Sequence, residues 1–188
     1  MTTMMMATLV DEGKLKWNQE AAKIWPAFKL SDEKLTKKVQ VKHLMLQNTG
    51  LIEDYNMLYY DTRFDGISAE EQLESLEQLS VVAKFKEKFE ISDHTVSAGG
   101  YLATLASGAE YGNLSAAYQQ LMQERIFDPI GMESAIFNTN LPAIGGNYAT
   151  GYAFNTITEA LEPLPFLNLS GYAPAAGVSA NVKDVARF

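Results

Sequence analysis

The sequence contains no cysteine, which excludes disulfides, thiol nucleophiles and thiolate metal sites. Its two histidines, His43 and His94, are far apart and neither lies in an HExxH spacing. The phosphate-binding patterns GxGxxG and GxxxxGK[ST] do not occur either. We therefore expect neither a metal nor another cofactor. No apolar run approaches the roughly 20 residues that a membrane-spanning helix needs.

Basic residues are outnumbered, since 15 lysines and arginines stand against 23 acidic residues and give a net charge of -8. Phosphate groups repel such a chain, so we do not expect nucleic acid or an anionic membrane as its main partner. Residues 1–10 also lack the basic n-region of a signal peptide. The localisation stays unknown: either the protein is cytoplasmic or its natural beginning is missing. The oligomeric state also stays open.

Apolar residues make up 47% of the 188 residues, enough for the core of one globular domain. Helical spacing recurs along the chain. It predicts a helix over 2–12 that stops at Gly13, a short helix capped by Asn18, a helix terminated by Asp128–Met132 with Pro129 barring its continuation, and a last helix capped by Ser179. Ser68-Ala69-Glu70-Glu71 has the form of a capping box. Strand-like alternation is limited to 148–154. The sequence predicts an α-rich α+β fold with a single domain over residues 1–188.

The segment 89–107 combines a polar turn with a helix of small residues. Ser92, Asp93 and His94 are the candidate catalytic residues, because their side chains donate, accept or relay protons. One interpretation makes Ser92 or Asp93 only an N-cap of the helix. The other makes the turn part of an active-site wall, because helix N-termini concentrate hydrogen-bond donors.

Two further features of the sequence predict packing rather than chemistry. The pair Gly99-Gly100 costs about 1 kcal/mol per glycine in a helix, which predicts a close contact with a neighbouring element. His43 lies on a mostly apolar segment, where a lone histidine is typically packed and hydrogen-bonded.

Five segments stand in order along nearly the whole chain: Leu9–Leu15, His43–Leu51, Ile126–Met132, Tyr148–Tyr152 and Pro174–Phe188. Together they resemble landmarks of the serine β-lactamase and penicillin-binding-protein family. The similarity is greatest to class C-like esterases, D-alanyl-D-alanine carboxypeptidases and aminopeptidases. The resemblance implies the mainly helical lobe of that fold, with most of the sheet missing.

Members of this family use a serine and a lysine in SxxK, a second loop with YxN or SDN, and a third element with KTG or HxG. The resemblance places SxxK before Met1 and the third element after Phe188. We therefore expect this chain to lack both and to be an incomplete domain cut at both ends. Only the second loop would lie within it.

The second loop of relatives reads Phe-x-Tyr-Ser-Asn ahead of Ala-Gly-Gly-Tyr, which matches Ala98–Tyr101 here. In one register Ile91 replaces the proton-relaying tyrosine and Asp93 replaces the amide. In a register shifted by one residue, Ser92-Asp93-His94 resembles SDN and keeps a hydroxyl relay.

The resemblance implies a segment of a serine hydrolase that opens an ester, amide or β-lactam through an acyl-serine intermediate, inactive as this chain. Its parent would take a small-molecule or peptide substrate, and such relatives are often periplasmic or extracellular. An alternative is a non-catalytic, β-lactamase-like binding protein, because isoleucine carries no proton. A helical domain of another kind is the third alternative. Whether the complete protein is an enzyme stays open.

Overall fold

The computed structural model describes residues 1–55, 57–58, 66–137 and 148–188. Within these ranges the first helices are α1 (Thr2–Asp11), α2 (Ala21–Ile24), α3 (Glu33–Thr36), α4 (Val41–Met45) and α5 (Ala69–Ser75). The later elements are α6 (Asp93–Ala106), α7 (Leu114–Met122), α8 (Asp128–Ile130), β1 (Tyr152–Asn155), β2 (Ala160–Pro163), α9 (Ala173–Ala176) and α10 (Val182–Val185). The predicted α-rich fold with little strand is confirmed. None of the helices in the described ranges combines the length and apolarity that a bilayer crossing requires.

Helix α1 buries one apolar face, formed by Met5, Met6 and Leu9. The helix ends at Asp11, and the chain turns away at Gly13, whose φ of 71° is the left-handed conformation that glycine adopts without steric cost. The backbone N–H of Gly13 donates to Val10 and that of Lys14 to Leu9, which satisfies two free carbonyls. The helix and its stop match the sequence prediction.

Helix α6 is the central helix of the described fold and packs against α1, α4, α5, α7 and α9. A Cβ on Gly100 would lie 2.5 Å from Cβ of Pro174 and 3.2 Å from Cγ2 of Thr2. A Cβ on Gly99 would lie 2.5 Å from Sδ of Met45. The predicted close contact at the glycine pair is confirmed, because two neighbouring elements approach the bare backbone there.

Helix α7 does not stop at Pro129, contrary to what a proline at that position suggests. It continues through a π-helical turn, Gln123–Phe127, into α8, where Pro129 lies in the first turn and its missing N–H is not needed. Arg125 in the π-helical turn binds both carboxylate oxygens of Glu12, at 2.6 and 3.0 Å. This ion pair joins the turn to the end of α1.

Two predicted helix caps are displaced in the structure. Ser179 does not cap the last helix, because its N–H donates to the carbonyl of Ile136; Asn181 caps α10 by accepting from the N–H of Asp184. Asn18 does not cap α2 either, whose N-cap is Glu20. In both places a backbone bridge fixes the chain before the helix begins: Glu20 pairs with Gln40, and Ser179 pairs with Ile136.

Strands β1 and β2 form an antiparallel hairpin in which Tyr152 pairs with Pro163 and Asn155 with Ala160. The strand begins at Tyr152 rather than at 148. Tyr152, Phe154 and Leu161 are exposed on it. Within the described ranges this hairpin is the sheet of the fold.

Candidate functional site

Ser92 is the N-cap of α6 and is almost fully buried, with 1% of its surface exposed. Its Oγ accepts a hydrogen bond of 3.2 Å from the N–H of Thr95. The hydroxyl also donates to the carboxylate of Glu53. The Ser92 hydroxyl therefore fixes the start of the helix from both sides, and the predicted cap is confirmed.

His94 is fully buried, at 0% exposure. Its Nδ1 lies 3.1 Å from the hydroxyl of Tyr172, and its Nε2 lies 3.4 Å from the carbonyl of Asp54. The rings of His94 and Tyr172 meet edge to face, with their centroids 5.2 Å apart. The backbone carbonyl of His94 accepts from Nε2 of Gln72 at 2.8 Å. The histidine thereby joins the turn to α5 and to the segment before α9.

Glu53 lies beneath the turn with only 4% of its surface exposed. Burial raises the pKa of its carboxyl, while the nearby His94 charge and hydrogen bonds from the Ser92 hydroxyl and the Asp93 N–H act in the opposite direction. Among the described residues, Oε2 of Glu53 and Oε1 of Gln72 have no hydrogen-bond partner. The buried cluster around the turn thus contains two side-chain oxygens without a partner.

The side chains of the turn alternate between inside and outside. Ile91 is 62% exposed and Asp93 is partly exposed, whereas Ser92 and His94 point into the protein. Val96, one helical turn after Asp93, is also partly exposed. The outer face of the site therefore consists of Ile91, Asp93 and Val96, and the inner face is a hydrogen-bonded support.

Gln47 supports the turn from the opposite side of the loop. Its Oε1 accepts from the N–H of Ser92 at 2.7 Å, and its backbone carbonyl accepts from the N–H of Glu90 at 2.9 Å. Gln47 has a φ of 52°, in the left-handed region that non-glycine residues rarely adopt. The residue follows α4 at the position where a glycine commonly ends a helix.

The letters SxxK do occur once, at Ser31-Asp32-Glu33-Lys34, which corrects the expectation that this spacing is absent. Ser31 lies before the short helix α3 and its Oγ donates to the carbonyl of Leu79. The match also lies after Leu9–Leu15, whereas the resemblance places the family's SxxK before that segment. Spacing alone therefore does not make Ser31 the counterpart of the family nucleophile.

Four of the supporting residues were not identified from the sequence: Gln47, Glu53, Gln72 and Tyr172. They are far from the turn in sequence and reach it only through the fold, so no local spacing marks them. In the described ranges no group of three histidine or acidic side chains is arranged to hold a metal ion. The site as described can hold a proton on a buried carboxyl and present one carboxylate, Asp93, outward.

Comparison with known proteins places the chain in one family. The family model described as Beta-lactamase matches residues 1–188. The chain is 23% identical to the unguisins hydrolase ungD' of Aspergillus campestris, over 100% of this chain and 35% of that protein.

Solved structures share the fold. A penicillin-binding protein homologue from Pyrococcus abyssi, described as octameric, matches with a TM-score of 0.76 at 23% identity, over 99% of this chain and 41% of that chain. The D-amino acid amidase from Ochrobactrum anthropi matches with a TM-score of 0.74 at 16% identity, over 100% of this chain and 50% of that chain. The chain thus spans half or less of the length of these proteins. The family resemblance found in the sequence is confirmed, and the chain belongs to the beta-lactamase family.

Proposed function

We propose that this chain is the mainly helical lobe of a serine hydrolase and that its contribution to the active site is the outer face of the Ser92 turn. The observation that carries the proposal is the alternation of the turn. Ile91 and Asp93 point outward, where the first register of the family loop has the proton-relaying tyrosine and the amide. Ser92 and His94 point inward and hold the turn in place.

In this proposal Asp93 is the residue that faces the substrate. Its position at the start of α6 suits a negative charge, because the N-terminal end of a helix carries partial positive charge. Ser92 and His94 act as positioning residues, since the Ser92 hydroxyl already accepts from Thr95 and donates to Glu53. This use of the hydroxyl argues against the shifted register, in which Ser92 would relay protons.

The reaction of the parent enzyme would be acyl transfer. A serine hydroxyl from outside these 188 residues attacks the acyl carbon of an ester, amide or β-lactam, the leaving group departs with a proton, and water then releases the acyl group. The similarity to a D-amino acid amidase supports an amide substrate.

A second candidate is a non-catalytic binding lobe, favoured by the exposed Ile91. An isoleucine donates and accepts no proton, so the outer face lacks the relay group that the family places there. Both candidates use the same face of the turn, and they differ in whether it supports turnover.

A chimeric protein separates the two candidates. The 188 residues replace the equivalent lobe of the Ochrobactrum amidase, which they match over their whole length. The chimera is compared with the same chimera carrying Ile91→Tyr and Asp93→Asn. Fluorophosphonate labelling reports a competent serine, and release of ammonia from a D-amino acid amide reports turnover.

Turnover by the unmodified chimera supports the hydrolase, with the restored pair expected to be faster by about 10²-fold or more, the range of general acid–base catalysis. Labelling and turnover only with the restored pair support the binding lobe. The isolated 188-residue chain should not be labelled, and stoichiometric labelling of it would place the nucleophile within this chain. If both versions of the chimera fold and neither is labelled or turns over, the result contradicts both candidate functions.

A further inference from the structure

A groove on the other side of the 47–50 loop has a volume of about 550 Å³. Its walls are α3 with the residues just after it and the segment 81–87. This volume lies within the range of roughly 300–1,000 Å³ found for small-molecule sites. The groove is separate from the outer face of the Ser92 turn, since none of the residues of that face lines it.

The floor of the groove is apolar. Leu35 is buried there, Phe85 packs edge to face on His43 at 4.7 Å, and Val82 remains 50% exposed. An exposed valine beside a leucine and a phenylalanine offers apolar surface that a ligand would remove from water.

Three lysines line the groove: Lys34, Lys38 and Lys84. Within the described ranges no carboxylate lies within 4.0 Å of their ammonium groups. Lys34 lies in α3 and Lys38 lies two residues after its end. Both line the same groove as Lys84, so their like charges repel one another. An anion between the walls would relieve that repulsion.

The two acidic residues of the groove are already engaged. Oδ1 of Asp32 accepts from the N–H of Leu35 at 2.6 Å, and Oε2 of Glu87 accepts from the N–H of Lys84 at 2.9 Å. Both carboxylates hold backbone turns in place. Three lysines against two carboxylates leave the groove with a net charge of +1 beside its apolar surface, on a chain whose net charge is -8.

We propose that this groove binds a small molecule with one anionic group, a carboxylate or a phosphate, on an apolar body. The lysines supply charge without the fixed fork of arginine, so the groove selects charge and apolar size rather than the geometry of the anion. The ligand's apolar part lies on Leu35, Val82 and Phe85.

The wall of the groove is hydrogen-bonded to the candidate site. The N–H of Val82 donates to the carbonyl of Gly50 and that of Lys86 to the carbonyl of Asn48, both at 2.9 Å. Gln47, which directly precedes Asn48 in this loop, accepts a hydrogen bond from the N–H of Ser92 through its Oε1. Occupation of the groove should therefore be visible at the amide of Ser92.

The test uses calorimetry and amide NMR on the 188-residue chain with four probes: 4-phenylbutyrate, 4-phenylbutyl phosphate, 4-phenylbutanamide and 4-phenylbutylamine. The carboxylate and the phosphate should bind saturably, more weakly at higher salt, and the amide and amine should not. Shifts should centre on 33–38 and 81–87 and extend to Ser92. Tight binding of only one anion identifies the source of the group and keeps the proposal.

Lysine variants provide the matched control. Replacing Lys34, Lys38 and Lys84 with glutamine should weaken anion binding by roughly tenfold or more, from the loss of three ion pairs. Replacing the exposed Lys14, Lys16 and Lys183 with glutamine removes the same charge elsewhere and should change affinity less than about twofold. Equal loss in both triples, equal binding of the neutral amide, shifts centred outside the groove, or no saturable binding of either anion would overturn the proposal.

Discussion

The side-chain oxygen of Gln47 accepts a 2.7 Å hydrogen bond from the backbone N–H of Ser92, 45 residues further along the chain. The bond depends on the left-handed backbone of Gln47, with a φ of 52°. The N–H of Gln47 donates to Leu44 and that of Asn48 to His43, the pattern in which a helix ends at a left-handed residue. A position that usually suits glycine thus carries a side chain that supports the turn.

Replacing Gln47 separates its two contributions. Gln47→Ala keeps the unfavourable backbone and removes the hydrogen bond, so its free energy of unfolding should fall by about 1 kcal/mol. Gln47→Gly also removes the bond, but it relieves about 1 kcal/mol of backbone strain, so its free energy of unfolding should remain close to that of the parent. Urea denaturation measures both, and hydrogen exchange at Ser92 should accelerate in both. Equal stability of the two variants would contradict the assignment.

Glu53→Gln should change how stability depends on pH. Burial raises the pKa of Glu53, so the folded protein holds this proton more tightly than the unfolded chain does. The Glu53 contribution to stability is therefore present below the unfolded pKa of about 4.5 and is lost as pH rises through the higher folded pKa.

We expect Glu53→Gln to match the parent in unfolding free energy below pH 4.5 and to be more stable at pH 7. The exposed Glu110→Gln serves as the control and should follow the parent. Urea titrations between pH 4 and 7 measure the effect. A Glu53→Gln variant less stable than the parent at pH 7 would show that the ionised carboxylate supports the turn.

His43 should have the opposite effect on pH dependence. Its burial, and then the charges of Lys86 and Lys42, lower its pKa from 6.5 to about 4. The folded protein therefore favours the neutral ring, whose Nδ1 accepts from the N–H of Gln40 at 3.1 Å. The stability that His43 contributes is present above pH 6.5 and is lost as pH falls toward 4.

In His43→Gln this loss between pH 6.5 and 4 should disappear, while the side-chain acceptor for Gln40 is retained. Thermal unfolding across this interval, compared with the parent, measures the difference in slope. An unchanged slope would mean that His43 does not titrate in this window.

The adjacent glycines of α6 should respond differently to alanine. Gly100→Ala places a methyl 2.5 Å from Cβ of the rigid Pro174, and overpacking of this kind costs about 1–3 kcal/mol. Gly99→Ala meets the Sδ of Met45, a flexible side chain that moves, and helix propensity returns up to about 1 kcal/mol. Urea denaturation should therefore rank Gly99→Ala well above Gly100→Ala. Equal stability of the two would contradict the contact.

Features that depend on a few neighbouring residues could be predicted from the sequence. The stop at Gly13, the cap at Ser92 and the close approach at the glycine pair follow from backbone geometry and are confirmed. The helix does end within Asp128–Met132, as predicted, because Gly131 is left-handed with a φ of 70°. Pro129 is not the residue that stops it, because a π-helical turn precedes the proline and places it where a helix restarts. Propensity rules do not anticipate that turn.

The inner support of the site was not predictable from local patterns. Glu53, Gln72 and Tyr172 meet the turn only after the chain has folded, and each is polar where periodicity alone suggests surface or loop. The candidate catalytic roles of Ser92, Asp93 and His94 stay predictions. Their burial divides them into an outward Asp93 and two inward supports.

The contact of Gly100 with Thr2 and Pro174 also bears on the order of folding. Thr2 Oγ1 donates to the carbonyl of Pro174 at 2.5 Å across 172 residues and lies 2.7 Å from the hydroxyl of Tyr118. The entropy lost on closing a loop grows with its length, and contacts between distant segments slow folding. We therefore expect the contact of Thr2 and Pro174 at Gly100 to form after the local helices, in one of the last steps of folding.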